Sequence, residues 1–146
     1  MERKNKKMAT TAQKKEPVTV FRYYNCNPHH IRTDDCVIRA IAAGTGSTWE
    51  NVLKDLTKYM LKSGHMIHTP ELYGAYLQDN GWVKQKQPTK SDGTKMRVGE
   101  FVKKFKGCAV VHAGRGHVTY VAEGKVYDIW DTSNEVVGSY WTYQGE

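Results

Sequence analysis

The fold is decided by Gly116–Ser133, "GHVTYVAEGKVYDIWDTS". Two β-branched and aromatic runs, His117–Ala122 and Lys125–Trp130, flank the turn pair Glu123-Gly124 and predict a hairpin. Upstream, "CAVVHA" (Cys108–Ala113) has the same character and is joined to the first run by Gly114-Arg115-Gly116, a third strand. Downstream, "VVGSYWTY" (Val136–Tyr143) supplies a fourth.

Before residue 108 the apolar spacing is helical. "CVIRAIAA" (Cys36–Ala43) is an apolar run stopped by Gly44 and Gly46. Ser47 with Glu50 three residues on reads as a capping box. The helix it opens aligns Trp49, Val52, Leu53, Leu56, Tyr59 and Met60 on one face and ends at Gly64. Thr69-Pro70-Glu71 starts another helix, with proline at the tolerated first position and Leu72, Tyr76 and Leu77 as its stripe. An extended piece and a turn follow in "GWVKQKQPTKSDG", then a short helix over Val98–Phe105. At the front, "VTVFRYY" (Val18–Tyr24) is a short strand or extended lead-in, followed by the loop "NCNPHHIRTDD". Helices first and an antiparallel sheet after predict an α+β domain.

A chain of 146 residues suits one domain of ordinary size, and 39% hydrophobic with 11% aromatic residues argues for a packed core. No apolar stretch approaches the roughly 20 residues of a membrane span, and no apolar segment follows the charged N-terminus as in a secretory signal. The expectation is a soluble cytoplasmic protein without membrane partners. Three cysteines then read as thiols rather than a disulfide framework. Of the net charge of +7, more than half comes from Arg3, Lys4, Lys6, Lys7, Lys14 and Lys15 against Glu2 and Glu16. Residues 1–17 are therefore expected to be a basic disordered leader, able to touch nucleic acid weakly, and residues 18–146 the folded domain.

Cys36 sits in the first turn of its helix, with Thr33 or Asp35 as the cap. A helix dipole contributes about 0.3–1 kcal/mol at its end, too little to make a thiol nucleophilic by itself. Asp34 and Asp35 oppose ionisation if they face the sulfur. A partner imidazole is needed, and His117, at a strand start after Gly-Arg-Gly, is the candidate. Its orienting carboxylate is Asp128 or Asp131, according to hairpin register. A three-residue loop with Gly124 left-handed pairs Val121 with Lys125 and puts Asp131 on the face of His117. A two-residue turn puts Asp128 there instead, but asks glutamate to adopt a left-handed conformation. Asp131 is the expectation. Cys26, His29, His30 and Cys36 offer metal-ligand types within one loop, but there is no Cys-x-x-Cys pair and the spacing is not that of a zinc finger. No metal or cofactor is expected.

"DDCVIRAIA" with a following tryptophan, and "GHVTYVAEGKVYDIWDTS", together resemble a small papain-like cysteine peptidase. The style is that of compact bacterial and phage-encoded members, including bacteriocin-leader peptidases. Transglutaminase-like proteins share the order of nucleophile helix, histidine strand and acid. The resemblance covers roughly Asn25–Tyr143 and implies a papain-like fold with a nucleophile helix on a C-terminal sheet. It implies Cys36 as nucleophile, His117 as base, Asp131 as orienting acid and a peptide or protein substrate. The family's glutamine before the cysteine is missing, since His30 stands six positions back. Asn27, held by Pro28, or else Asn25, would supply the oxyanion donor alongside the amide of Cys36. Val37 replaces the usual residue after the cysteine. Two other functions fit the same features: an inactive binding or structural protein of a phage or mobile element, and amidase, deamidase or transglutaminase chemistry.

Overall fold

The computed structural model describes residues 19–145; the expected basic leader lies outside the described residues. The chain runs β1 (Phe21–Tyr23), α1 (Cys36–Thr45), α2 (Trp49–Ser63), α3 (Pro70–Asp79), β2 (Trp82–Gln85), α4 (Val98–Lys104), β3 (Cys108–Ala113), β4 (His117–Ala122), β5 (Lys125–Asp128) and β6 (Val137–Tyr143). It is an α+β architecture with one six-stranded sheet in the order β1-β5-β4-β3-β6-β2. The sheet is mixed: β1 pairs parallel with β5, and every other neighbouring pair is antiparallel.

The sheet is covered on both faces, and strand alternation divides the core in two. Val110, Val118 and Trp141 point to one side, where they join Val37, Ile38 and Ile41 of α1, Val52 and Leu56 of α2, and Leu72 and Leu77 of α3. Ala109, Val111, Val121, Val126 and Val137 point to the other, against Val98, Phe101 and Val102 of α4. α1 is the innermost helix, with every residue from Cys36 to Ala42 buried. That explains its sequence: a helix wrapped on several sides is apolar all round rather than striped.

Local signals are used as their chemistry requires, with small displacements. Thr48 rather than Ser47 caps α2, its hydroxyl accepting the Asn51 amide at 3.1 Å. Gly64 ends that helix in the left-handed conformation, and Pro70 opens α3 behind Thr69. Trp82–Gln85 becomes an edge strand against β6. Of the described residues of Val18–Tyr24, Phe21–Tyr23 form the strand, and its parallel pairing with β5 corrects the expected all-antiparallel sheet.

The hairpin register is the correction that matters for the site. Ala122 pairs with Lys125, Val121 with Val126 and Tyr120 with Tyr127, so the turn has two residues. Glu123 (φ 51°) and Gly124 (φ 79°) both take left-handed backbone, the twist-matched turn of a tight hairpin. The matched twist and ladder outweigh the local cost of a non-glycine residue at positive φ. No helix among the described residues is long and apolar enough to cross a membrane.

Candidate functional site

The start of β4, the end of β5 and the N-terminus of α1 meet at one end of the sheet, and each delivers one side chain. β4 begins at His117 after a turn whose Gly114 and Gly116 both have positive φ. β5 ends at Asp128, which is fully buried. Asp128 Oδ2 lies 2.7 Å from His117 Nε2. Its other oxygen, Oδ1, accepts the Ile129 amide at 2.7 Å and Nη1 of Arg39 at 2.9 Å, so the carboxylate is fixed before it meets the ring. With Nε2 engaged, Nδ1 is the ring nitrogen that remains, and Cys36 lines the same cleft as the ring.

Electrostatics follow from this geometry. Burial opposes charge on His117, but the bond to Asp128 and the nearby Cys36 outweigh it and raise the imidazole from 6.5 to about 9. Burial would raise the Asp128 carboxyl; His117, Thr119 and Arg39 overcome it and hold it below the ordinary range. The ring is also packed by Trp130, with centroids 4.9 Å apart at 47°.

The acid behind the histidine is therefore Asp128, and the expectation of Asp131 is corrected. Register is the reason: the two-residue turn gives His117 and Asp128 the same facing. Asp131 lies three residues past the ladder, exposed, accepting the amide (3.0 Å) and hydroxyl (2.6 Å) of Ser133. Asn27 is corrected as well. Its amide nitrogen donates to Asp35 Oδ2 at 3.1 Å and its oxygen accepts the His29 amide at 2.8 Å, so both ends serve the loop. Asn25 is committed in the same way, donating to the Ile31 carbonyl at 3.0 Å and accepting the Asn27 amide at 3.1 Å.

Both carboxylate oxygens of Asp35 are engaged by partners other than the thiol. Asp35 occupies the N-cap position of α1 without capping it. Oδ1 accepts Nε of Arg39 at 2.7 Å, and Oδ2 accepts the Trp49 indole at 2.9 Å together with Asn27. The first amides of α1, which have no intrahelical acceptor, are left without a side-chain cap beside Cys36. Arg39 is 3% exposed and bridges Asp35 to Asp128. Two bonds from Asp35 and Asp128 hold its guanidinium charged against the opposing effect of burial.

Arg39 and the role of Asp35 are what sequence reasoning missed. The signal was present: an arginine inside "CVIRAIAA" must be paired if that helix is buried, and Asp35 stands four residues before it.

A cleft of about 510 Å³ opens over Cys36 and His117, walled by Arg32, Asp34, His68, Arg115 and Trp130. Cys26 is half-buried against the core, Cys108 is exposed, and His29 and His30 point outward. Among the described residues no group of three or more His, Cys, Asp or Glu side chains is gathered to hold a metal. No family model, curated protein or solved structure among those compared matches the chain.

Proposed function

We propose that the domain is papain-like and acts as a cysteine hydrolase on a peptide or isopeptide bond, with Cys36, His117 and Asp128 as its triad. The single observation carrying this reading is a histidine bonded to a buried carboxylate and lining one open cleft with a cysteine at an uncapped helix start. In the reaction the sulfur of Cys36, its proton already held by the His117 ring, attacks the acyl carbon. The carbonyl oxygen takes up the negative charge and is met by the amide of Cys36. His117 returns the proton to the leaving amine, giving a thioester. Water, deprotonated by the same ring, then releases the acid and restores the thiol. Asp128 keeps the ring oriented throughout.

The test is alkylation of the native protein by iodoacetamide. At pH 6 to 7, Cys36 is expected to react much faster than Cys26 or exposed Cys108. Equal labelling, or protection of Cys36, counts against the nucleophile.

One observation favours a second reading, a binding protein on the same fold. Both candidate asparagines are committed to the loop, and loss of one oxyanion donor costs about 10²–10³ in rate. In that case Cys36→Ala keeps full affinity for the cleft's peptide ligand, and the wild type does not turn it over. Deamidase and transglutaminase chemistry use the same triad and differ only in the nucleophile that resolves the thioester.

A further inference from the structure

We propose that Asp35, acting through Arg39, sets the proton affinity of His117, so that the site is tuned from a residue outside the triad. The proposal takes His117 as the base of the reading above and asks what determines its charge. From Asp35 a single chain of contacts runs inward: Asp35 to Arg39 at 2.7 Å, Arg39 to Asp128 at 2.9 Å, Asp128 to His117 at 2.7 Å. Its charges alternate, negative, positive, negative, positive, and its first three members are at most 4% exposed. Water therefore screens them little, and a change at one end is felt at the other.

The signs are opposite at successive positions. Arg39 draws on Oδ1 of the same carboxylate whose Oδ2 holds the ring, so it competes with His117 for Asp128. Asp35 neutralises Arg39 and weakens that competition. Removing the charge of Asp35 thus lowers the ring's proton affinity, and removing that of Arg39 raises it.

Other charged or titratable groups face the ring and are unchanged by these substitutions. Cys36 approaches from α1, and His112 on β3 interacts with it electrostatically. Arg32, Asp34, His68 and Arg115 line the cleft, and Trp130 contributes a neutral face.

The experiment is an NMR titration of the His117 ring in the full chain. In Asp35→Asn the midpoint is expected to move to lower pH, with a roughly tenfold loss of proton affinity for one partly screened charge. In Arg39→Gln it moves to higher pH. Trp49→Phe, which removes a hydrogen bond from Asp35 without changing its charge, leaves it in place. An unmoved midpoint in Asp35→Asn overturns the proposal. So does an equal shift in Trp49→Phe, or a shift of the same sign in Arg39→Gln. If Arg39→Gln does not fold, the other two variants decide. Cys36 alkylation remains a separate readout. An inert Cys36 with an intact His117 response removes the hydrolase and leaves the tuning.

Discussion

At the scale of single residues, the site turns on which of two aspartates stands behind His117. They are three positions apart, but β5 ends at Asp128, so only Asp128 takes its facing from the hairpin ladder. Asp128 is buried and bonded to the ring, whereas Asp131 is exposed and bonded to Ser133. Asp128→Asn is therefore expected to slow iodoacetamide labelling of Cys36 at pH 7 by about 10²-fold, the low end of what a positioned base contributes. Asp131→Asn should stay within about twofold. A reversal of that order would return Asp131 to the site. Cys36 and His117 were legible from the sequence because the chemistry names its own residue types and both sit where an element begins. Asp128 was not, because its facing depends on one residue of hairpin register. Asn27 looked available because a loop asparagine's hydrogen bonds are set by its fold, here by the buried Asp35.

Among the elements, the β4–β5 hairpin shows why local preference misled. Glutamate at φ 51° is a poor local choice, so a longer loop looked better. The ladder decided otherwise, because Val121 and Val126 are both fully buried in this register and a one-residue slip would turn one of them outward. The turn consequently retains room for improvement. Glu123→Asn is expected to stabilise the protein by about 0.5–1 kcal/mol, as asparagine tolerates left-handed backbone. A rise in urea midpoint at unchanged slope would report it; a fall would argue against the two-residue turn. Helices were legible from caps and spacing because their hydrogen bonds close within a few residues. The pairings of β1 with β5 and β2 with β6 were not, since their partners lie far away along the chain.

For the whole molecule, the charged groups of the site couple folding to pH. His117 has a folded value of about 9, above its ordinary 6.5. Its contribution to stability is complete below pH 6.5 and is lost as pH rises through about 9. Asp128, held below the ordinary carboxylate value, contributes above that value and loses the contribution as pH falls through its depressed one. His112, lowered by burial and by His117 and Lys84, works against folding in acid below 6.5. The thermal midpoint should therefore fall between pH 6.5 and 9.5, and His117→Gln should flatten that fall while His112→Gln leaves it. A wild-type midpoint that is level across this range would mean that the histidine gains nothing from its aspartate on folding.

The short strand β1 has a consequence in time. Phe21 pairs with Val126, and the Tyr24 amide reaches the Asp128 carbonyl at 2.8 Å, so β1 waits for a strand that is made long after it. During synthesis, Cys36 leaves the ribosome long before His117 and Asp128 exist as neighbours. The nascent chain carries an unpartnered thiol, and the charged pair that would engage it comes together only when β5 emerges and closes the register. Whatever chemistry Cys36 performs is thereby deferred until β5 has been translated and paired.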